Sequence, residues 1–182
     1  MIKVLMMVGS LRQQSFNQVV AEQISKQLAQ RDLTVTFADI ATLPLMNQDI
    51  EFPAPAPVQQ LRRQVEQADQ LWIVTPEYNE MIPGGLKNAL DWLSRPVEPG
   101  VFGAPEFVKG KPVMLTGAGG KKAARPGLAH LQALLTFMGL HVAPTIVGLQ
   151  LPTSAFMTGH FELDPAQTTA ITQQVEQVSF QD

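Results

Sequence analysis

Three short, nearly unbroken apolar runs constrain this chain more than any other feature: "IKVLMMV" at 2–8, "LWIVT" at 71–75 and "PVMLT" at 112–116. Each has the length of a strand, and each ends at a breaker, Gly9, Pro76 or Gly117. Runs without polar alternation are what strands buried on both faces need, and such strands belong to a parallel sheet with helices above and below it.

Between the runs the apolar period changes. Phe16, Val19, Val20, Ile24 and Leu28 mark one face of a helix. "LTVTFAD" alternates, with Leu33, Val35 and Phe37 opposite Thr34 and Thr36, which predicts a strand at a sheet edge. Residues 41–58 hold four prolines and read as a long surface loop, of a length that is usually functional or mobile. Helices follow over about Val58–Ala68 and through Leu86, Ala89, Leu90 and Leu93, with Trp92 expected in the core. A Pro/Gly-punctuated stretch at 94–111 leads to the third run. Beyond the glycine-rich "GAGGKKAARPG" a helix places Leu128, Leu131, Leu135 and Met138 inward and ends at Gly139. A short strand near "LHVAPTIV" comes next, and the last helix starts at Asp164-Pro165, with a mostly solvated Gln-rich body. Alternating strands and helices predict one α/β domain over 1–182, doubly wound in three layers around a five-stranded parallel sheet.

Composition removes several classes of function. Charged residues are 16% of the chain and the net charge is −3, without the dense basic run that nucleic acid or a membrane surface requires. Cysteine is absent, so no disulfide or thiolate chemistry is available, and a cytoplasmic location is expected. The opening apolar stretch has no small-residue cleavage region after it, and no run approaches the roughly 20 residues of a membrane span. His130, His141 and His160 lack metal-ligand spacing, no GxSxG elbow occurs, and neither glycine-rich segment matches a triphosphate or dinucleotide fingerprint.

Chemistry is expected at the carboxyl ends of the strands, where an open α/β sheet binds its ligands. In the first exit, "GSLRQQSFN", Ser10, Ser15 and Asn17 offer hydroxyls and an amide, and Arg12 is the one full positive charge. Phe16 opens the helix behind them. A helix start with free amides and a nearby guanidinium suits a phosphate monoester. The plainer alternative makes Ser15 a helix cap and leaves Arg12 in solvent. In the second exit Pro76, Glu77, Tyr78 and Asn79 break the strand, and their peptide groups can border a planar heterocycle; an exposed Tyr-Asn turn is the alternative. Gly117, Ala118, Gly119 and Gly120 form the third exit.

"GSLRQQSFN" together with "PEYNEMIPGGLKNALDW", and with "LPLMNQD" and "GKPV", resembles the NADPH-dependent FMN reductase family over most of the chain. The resemblance implies a flavodoxin-like fold, FMN as cofactor and NADPH or NADH as electron donor. The acceptor would be a small molecule such as a quinone, an azo compound or an oxidised metal, and the assembly a homodimer or homotetramer with the 41–58 loop in a subunit contact. It implies that Ser10, Arg12, Ser15 and Asn17 hold the phosphate, that Pro76 to Asn79 border the isoalloxazine, and that Gly117 to Gly120 close the other side. No catalytic acid or base is implied. Two segments depart from the family pattern, "GAGGKK" and the enlarged 95–109 loop. The rival readings are an electron carrier of the same fold, disfavoured by Arg12 and by the modest net charge, and a sensor without FMN on the same scaffold.

Overall fold

The computed structural model describes residues 2–178. β1 (Lys3–Val8), β2 (Thr34–Phe37), β3 (Gln70–Thr75), β4 (Pro112–Gly119) and β5 (His141–Gln150) form one sheet in the order β2-β1-β3-β4-β5, every pair parallel. Order reverses between β1 and β3, so the loops leaving those strands diverge to opposite faces and open a crevice at their carboxyl ends. The fold is the expected three-layer, doubly wound, flavodoxin-like α/β architecture.

Side-chain alternation along the strands divides the core. Leu5, Met7, Leu71, Ile73 and Leu115 meet α2 (Ala56–Gln67), α3 (Gly84–Leu93) and α4 (Arg125–Phe137). Val4, Met6, Trp72, Val74 and Met114 meet α1 (Phe16–Ala29) and α6 (Pro165–Glu176). A short α5 (Thr153–Thr158), which periodicity did not announce, lies between β5 and α6. Within α1, Phe16, Val20, Ile24 and Leu28 are buried as predicted, whereas Val19 is exposed. Gly139, at φ +89°, ends α4, and Asp164 caps α6 in a capping box with Gln167. Among the described residues no helix is long and apolar enough to cross a membrane.

Three expectations change. β4 runs on through Gly119, so Gly117, Ala118 and Gly119 belong to the strand and only Gly120 lies beyond it. The reason is pairing with β5, where Gly117, Ala118 and Gly119 lie opposite Gly148, Leu149 and Gln150; glycine is needed because a Cβ at Gly117 would stand 2.9 Å from the Thr75 carbonyl oxygen, and one at Gly119 2.9 Å from the Ala124 nitrogen. These glycines let the following turn fold back against the strand ends. β5 is ten residues long, not short, because it crosses a register break between the Val113 and Leu115 positions of β4. Pro144 sits in that break, as an edge strand allows. The Gln-rich body of α6 is not simply solvated. Gln174 is fully buried; its Nε2 donates to the Leu115 and Thr145 carbonyls (2.8 and 3.1 Å), and its Oε1 accepts from Thr116 Oγ1 (2.7 Å). Thr116 in turn accepts from Trp72 Nε1 (2.9 Å). Gln174 thus satisfies carbonyls beside the broken ladder.

Candidate functional site

β1 and β3 are bound together at their ends, where the Gly9 amide donates to the Val74 carbonyl at 2.8 Å. A Cβ at Gly9 would lie 2.5 Å from Thr75 Oγ1, so close approach to β3, not a left-handed turn, is what demands glycine there. The chain then crosses the crevice as an exposed loop and enters α1 at Ser15, Phe16 and Asn17, all buried.

The start of α1 is unusually unspent. Ser15 holds the N-cap position, at φ −81° and ψ 130°, yet its hydroxyl makes no capping hydrogen bond. Among the described residues, the amides of Gln13, Gln14, Ser15, Phe16 and Asn17 donate to no protein acceptor; helical bonding resumes at Gln18, whose amide meets the Ser15 carbonyl at 3.0 Å. Five open amides and a free hydroxyl at the positive end of a 14-residue helix form an anion cradle. Arg12 stands beside it, its guanidinium carbon 5.2 Å from the centroid of the Phe16 ring. Phe16 is held edge-on by Phe156 and Phe161, at centroid distances of 5.9 and 6.1 Å. Ser10 Oγ accepts the Arg12 amide at 3.3 Å, which closes the loop.

Asn17 is differently employed from the expectation. Its Nδ2 donates to the Ala118 carbonyl (3.1 Å) and its Oδ1 accepts the Ala118 amide (2.9 Å). β3 ends at Thr75, opposite Gly117, so Ala118 has no strand neighbour on that side. The Asn17 amide stands in for the missing peptide and pins the mouth of α1 onto β4.

At the second exit Tyr78 and Met81 exchange both backbone hydrogen bonds (2.9 and 3.0 Å) around Asn79 and Glu80. Those two residues have φ of +54° and +63°, a type I′ hairpin whose right-handed twist requires left-handed backbone at both central positions. The hairpin is tied to α4. Glu77 accepts the Gly127 amide at 2.9 Å, His130 Nδ1 donates to the Glu80 carbonyl at 3.0 Å, and Glu80 pairs with Lys122. Lys122 holds the Glu80 carboxyl below its usual range, and Glu80 raises the Lys122 ammonium. Tyr78, Met81 and Leu11 stand about half exposed on the crevice loops, giving an apolar rim to a site whose floor is peptide. Pro76 is buried, and Gly120 alone of the third-exit residues is exposed. A larger recess, about 800 Å3, lies at the opposite, amino ends of the strands beside Asp69, Lys111 and His141, and contains none of the predicted site residues. Among the described residues no group of three His, Cys, Asp or Glu side chains is placed to hold a metal.

Open amides at a helix start beside the β1–β3 reversal, next to a peptide-lined, apolar-rimmed crevice, are what a mononucleotide site requires. The family described as NADPH-dependent FMN reductase matches residues 2–153. The chain belongs to that family. Over 140 residues it is 39% identical to a 2-hydroxy-1,4-benzoquinone reductase from a Burkholderia species, covering 76% of this chain and 73% of the relative. It is 41% identical over 142 residues to a quinone reductase of Escherichia coli (strain K12), covering 75% and 71%. The solved structure of FerB, a flavoenzyme NAD(P)H:(acceptor) oxidoreductase from Paracoccus denitrificans, superposes with a TM-score of 0.82 at 30% identity, over 97% of this chain and 94% of that one. As a member of the family the chain is an oxidoreductase that uses FMN with NAD(P)H as electron donor.

In this FMN reductase the 41–58 loop is fastened by residues that sequence reasoning did not single out for it. Asn88 accepts the Met46 amide (2.7 Å) and donates to the Pro44 carbonyl (2.9 Å), which Trp92 Nε1 also reaches (2.8 Å). The buried Glu51 takes a two-point bond from Arg95 (2.7 and 2.9 Å), which holds its carboxyl below the ordinary range. Buried Arg62 donates to the carbonyl of Trp92 in the last turn of α3 and to those of Arg95 and Pro96 just past it, and burial lowers its guanidinium. The visible signal was the tract "GGLKNALDW": Asn88 and Trp92 lie four apart on one helix face, each with a polar atom to satisfy.

Proposed function

We propose that the cradle at the start of α1 holds the phosphate of FMN, with Ser10, Arg12 and Ser15 contributing side chains and residues 13–17 their amides. In this reading Pro76, Glu77, Tyr78 and Asn79 border the isoalloxazine, Glu77 by positioning the hairpin through its bond to Gly127. Gly120 and the end of β4 close the far side, with Gly117, Ala118 and Gly119 beneath as a flat floor. Asn17 acts from behind, through Ala118. The observation that carries the proposal is the set of five unspent amides beside Arg12 at the strand-order reversal.

Bound there, FMN supplies two-electron exchange between NAD(P)H and an acceptor. The acceptor we propose is a small planar one, a quinone foremost, since relatives of 39% and 41% identity are named for quinone reduction. The half-exposed Tyr78, Met81 and Leu11 rim suits such a molecule. The protein's part is to bind and orient; no side chain is needed as acid or base. We further assign the chain to the cytoplasm as a single domain and a homo-oligomer. The exposed Leu45, Ile50 and Phe52, joined through the Glu51–Arg95 pair to Val97, Val101 and Phe102, form the apolar face for a second copy.

Flavin titration of the apoprotein, followed by anaerobic addition of NADPH or NADH and then a quinone, tests the reading. Wild type should bind FMN, bleach with a nicotinamide and recover with the quinone. Arg12→Ala should weaken FMN at least tenfold through the lost charge-assisted contact. Unchanged flavin affinity in that variant would refute the phosphate assignment, and a bound flavin that no nicotinamide bleaches would make the protein a carrier.

A further inference from the structure

A second basic feature lies outside the flavin cradle. Three of the chain's 13 Lys and Arg residues fall within five positions, "KKAAR" at 121–125, although the chain as a whole is acidic. They converge on a cleft of about 420 Å3 between the β4 exit and the carboxyl end of β5, lined by Lys121, Lys122 and Arg125 with Gly148 and Gln150, and by no carboxylate. Lys122 is paired with Glu80 of the flavin-side hairpin, so the cleft shares a wall with the crevice. Among the described residues Lys121 and Arg125 have no ion-pair partner.

The amides at this end of α4 are already committed. Arg125 N–H meets the Lys122 carbonyl, Pro126 has no N–H, Gly127 donates to Glu77 and Leu128 to the Ala124 carbonyl. An anion here is therefore recognised by side chains, not by the helix end, in contrast to the cradle of α1. Two backbone positions hold the cations in place: Ala123 and Ala124 adopt φ of +51° and +55°, and Gly148 admits the Ala123 carbonyl where a Cβ would approach to 2.4 Å. A guanidinium and an ammonium lining one cleft match a phosphate dianion better than a single carboxylate.

We infer that this cleft binds the 2′-phosphate of the electron donor, so that Lys121 and Arg125 make the reductase prefer NADPH over NADH. The inference rests on the reductase reading above and specifies its donor. The two donors differ only by that phosphate, and a dinucleotide whose nicotinamide enters the crevice can extend its adenosine end into the neighbouring cleft. The pyrophosphate common to both donors is the other phosphate the same cations could meet.

Lys121→Gln/Arg125→Ser is the informative variant, because both side chains are exposed and Lys122 stays to anchor the hairpin. The first readout is the ratio of kcat/KM for NADPH to that for NADH, with FMN and quinone saturating. The ratio should favour NADPH in wild type and fall roughly tenfold to a hundredfold in the variant, the range for losing one or two charge-assisted bonds. The second is calorimetric binding of adenosine 2′,5′-bisphosphate against adenosine 5′-monophosphate, which needs no turnover. Wild type should hold the bisphosphate at least tenfold more tightly, and the variant should lose that margin. Equal losses with both donors would put the cations on the pyrophosphate and overturn the inference, as would an unchanged ratio. A wild-type protein that oxidises neither nicotinamide but holds the bisphosphate tightly would sink the reductase reading while leaving the 2′-phosphate site standing.

Discussion

Replacing Asn17 by alanine separates a structural amide from a ligand contact. The side chain makes two hydrogen bonds to the Ala118 peptide, at 3.1 and 2.9 Å, with both residues almost fully buried. Alanine leaves the Ala118 N–H and C=O facing a gap where β3 has ended. Each orphaned group costs about 1–3 kcal/mol, so the pair costs roughly 2–4 kcal/mol when some relaxation is allowed. For a chain of this length that is roughly 4–16 °C in Tm. Urea and thermal unfolding of the flavin-free protein, for wild type, Asn17→Ala and Arg12→Ala, are the assay. Asn17→Ala should lose that stability with no flavin present, whereas the exposed Arg12→Ala should stay within about 0.5 kcal/mol of wild type. If apo Asn17→Ala is as stable as wild type and fails only in flavin binding, the side chain faces the phosphate and the strand-mimic argument is wrong.

Two further outcomes follow from buried polar groups far from the crevice. Gln174→Leu should cost about 2–5 kcal/mol in urea unfolding, because it strands the Leu115 and Thr145 carbonyls and leaves the Thr116 hydroxyl without its acceptor; a loss under about 1 kcal/mol would show that the register break needs no such filler. Glu51→Gln should change the pH dependence of stability. Arg95 depresses the folded-state carboxyl, so its stabilisation is complete above the unfolded value of about 4.3 and is lost as pH falls toward the folded one. The stability gap between wild type and Glu51→Gln should therefore be constant from about pH 7 to 5 and narrow below about pH 4; a gap that widens in acid would contradict the Glu51–Arg95 account.

Strand identity was readable because burial on both faces leaves a local mark: "LWIVT" needs no partner to be recognised. The same holds for the end of α4 at Gly139 and for the start of α6 at Asp164-Pro165. The two loop motifs were visible as well: "GSLRQQSFN" sets hydroxyls, a guanidinium and a helix start close together, and the structure places them at the end of β1 beside the β3 exit. The misreadings came where an outcome depended on what lies across the sheet. "GAGG" looks like a loop by composition, yet three of its residues are strand because β5 pairs with them, and Thr75 and Ala124 leave no room there for a Cβ on Gly117 or Gly119. Asn17 looks like a ligand donor until the end of β3 exposes the Ala118 peptide 101 residues away. Gln174 lies beyond the matched residues 2–153 and within a polar helix, yet it completes the β4–β5 ladder.

What the amino-acid order determined by itself was the five strands, the helices other than the short α5, and their alternation, because periodicity, capping and turn preference act between neighbours a few residues apart. What the tertiary structure alone decided was which polar groups remain free. Strand order and register consume the side chains of Asn17, Glu77 and Gln174; among the described residues they leave the amides of residues 13–17 without acceptors and Lys121 and Arg125 without ion-pair partners, with Arg12 lying over the Phe16 ring. A buried hydrogen-bonding group takes whatever partner the packing brings to it, so function falls to the groups that packing leaves over.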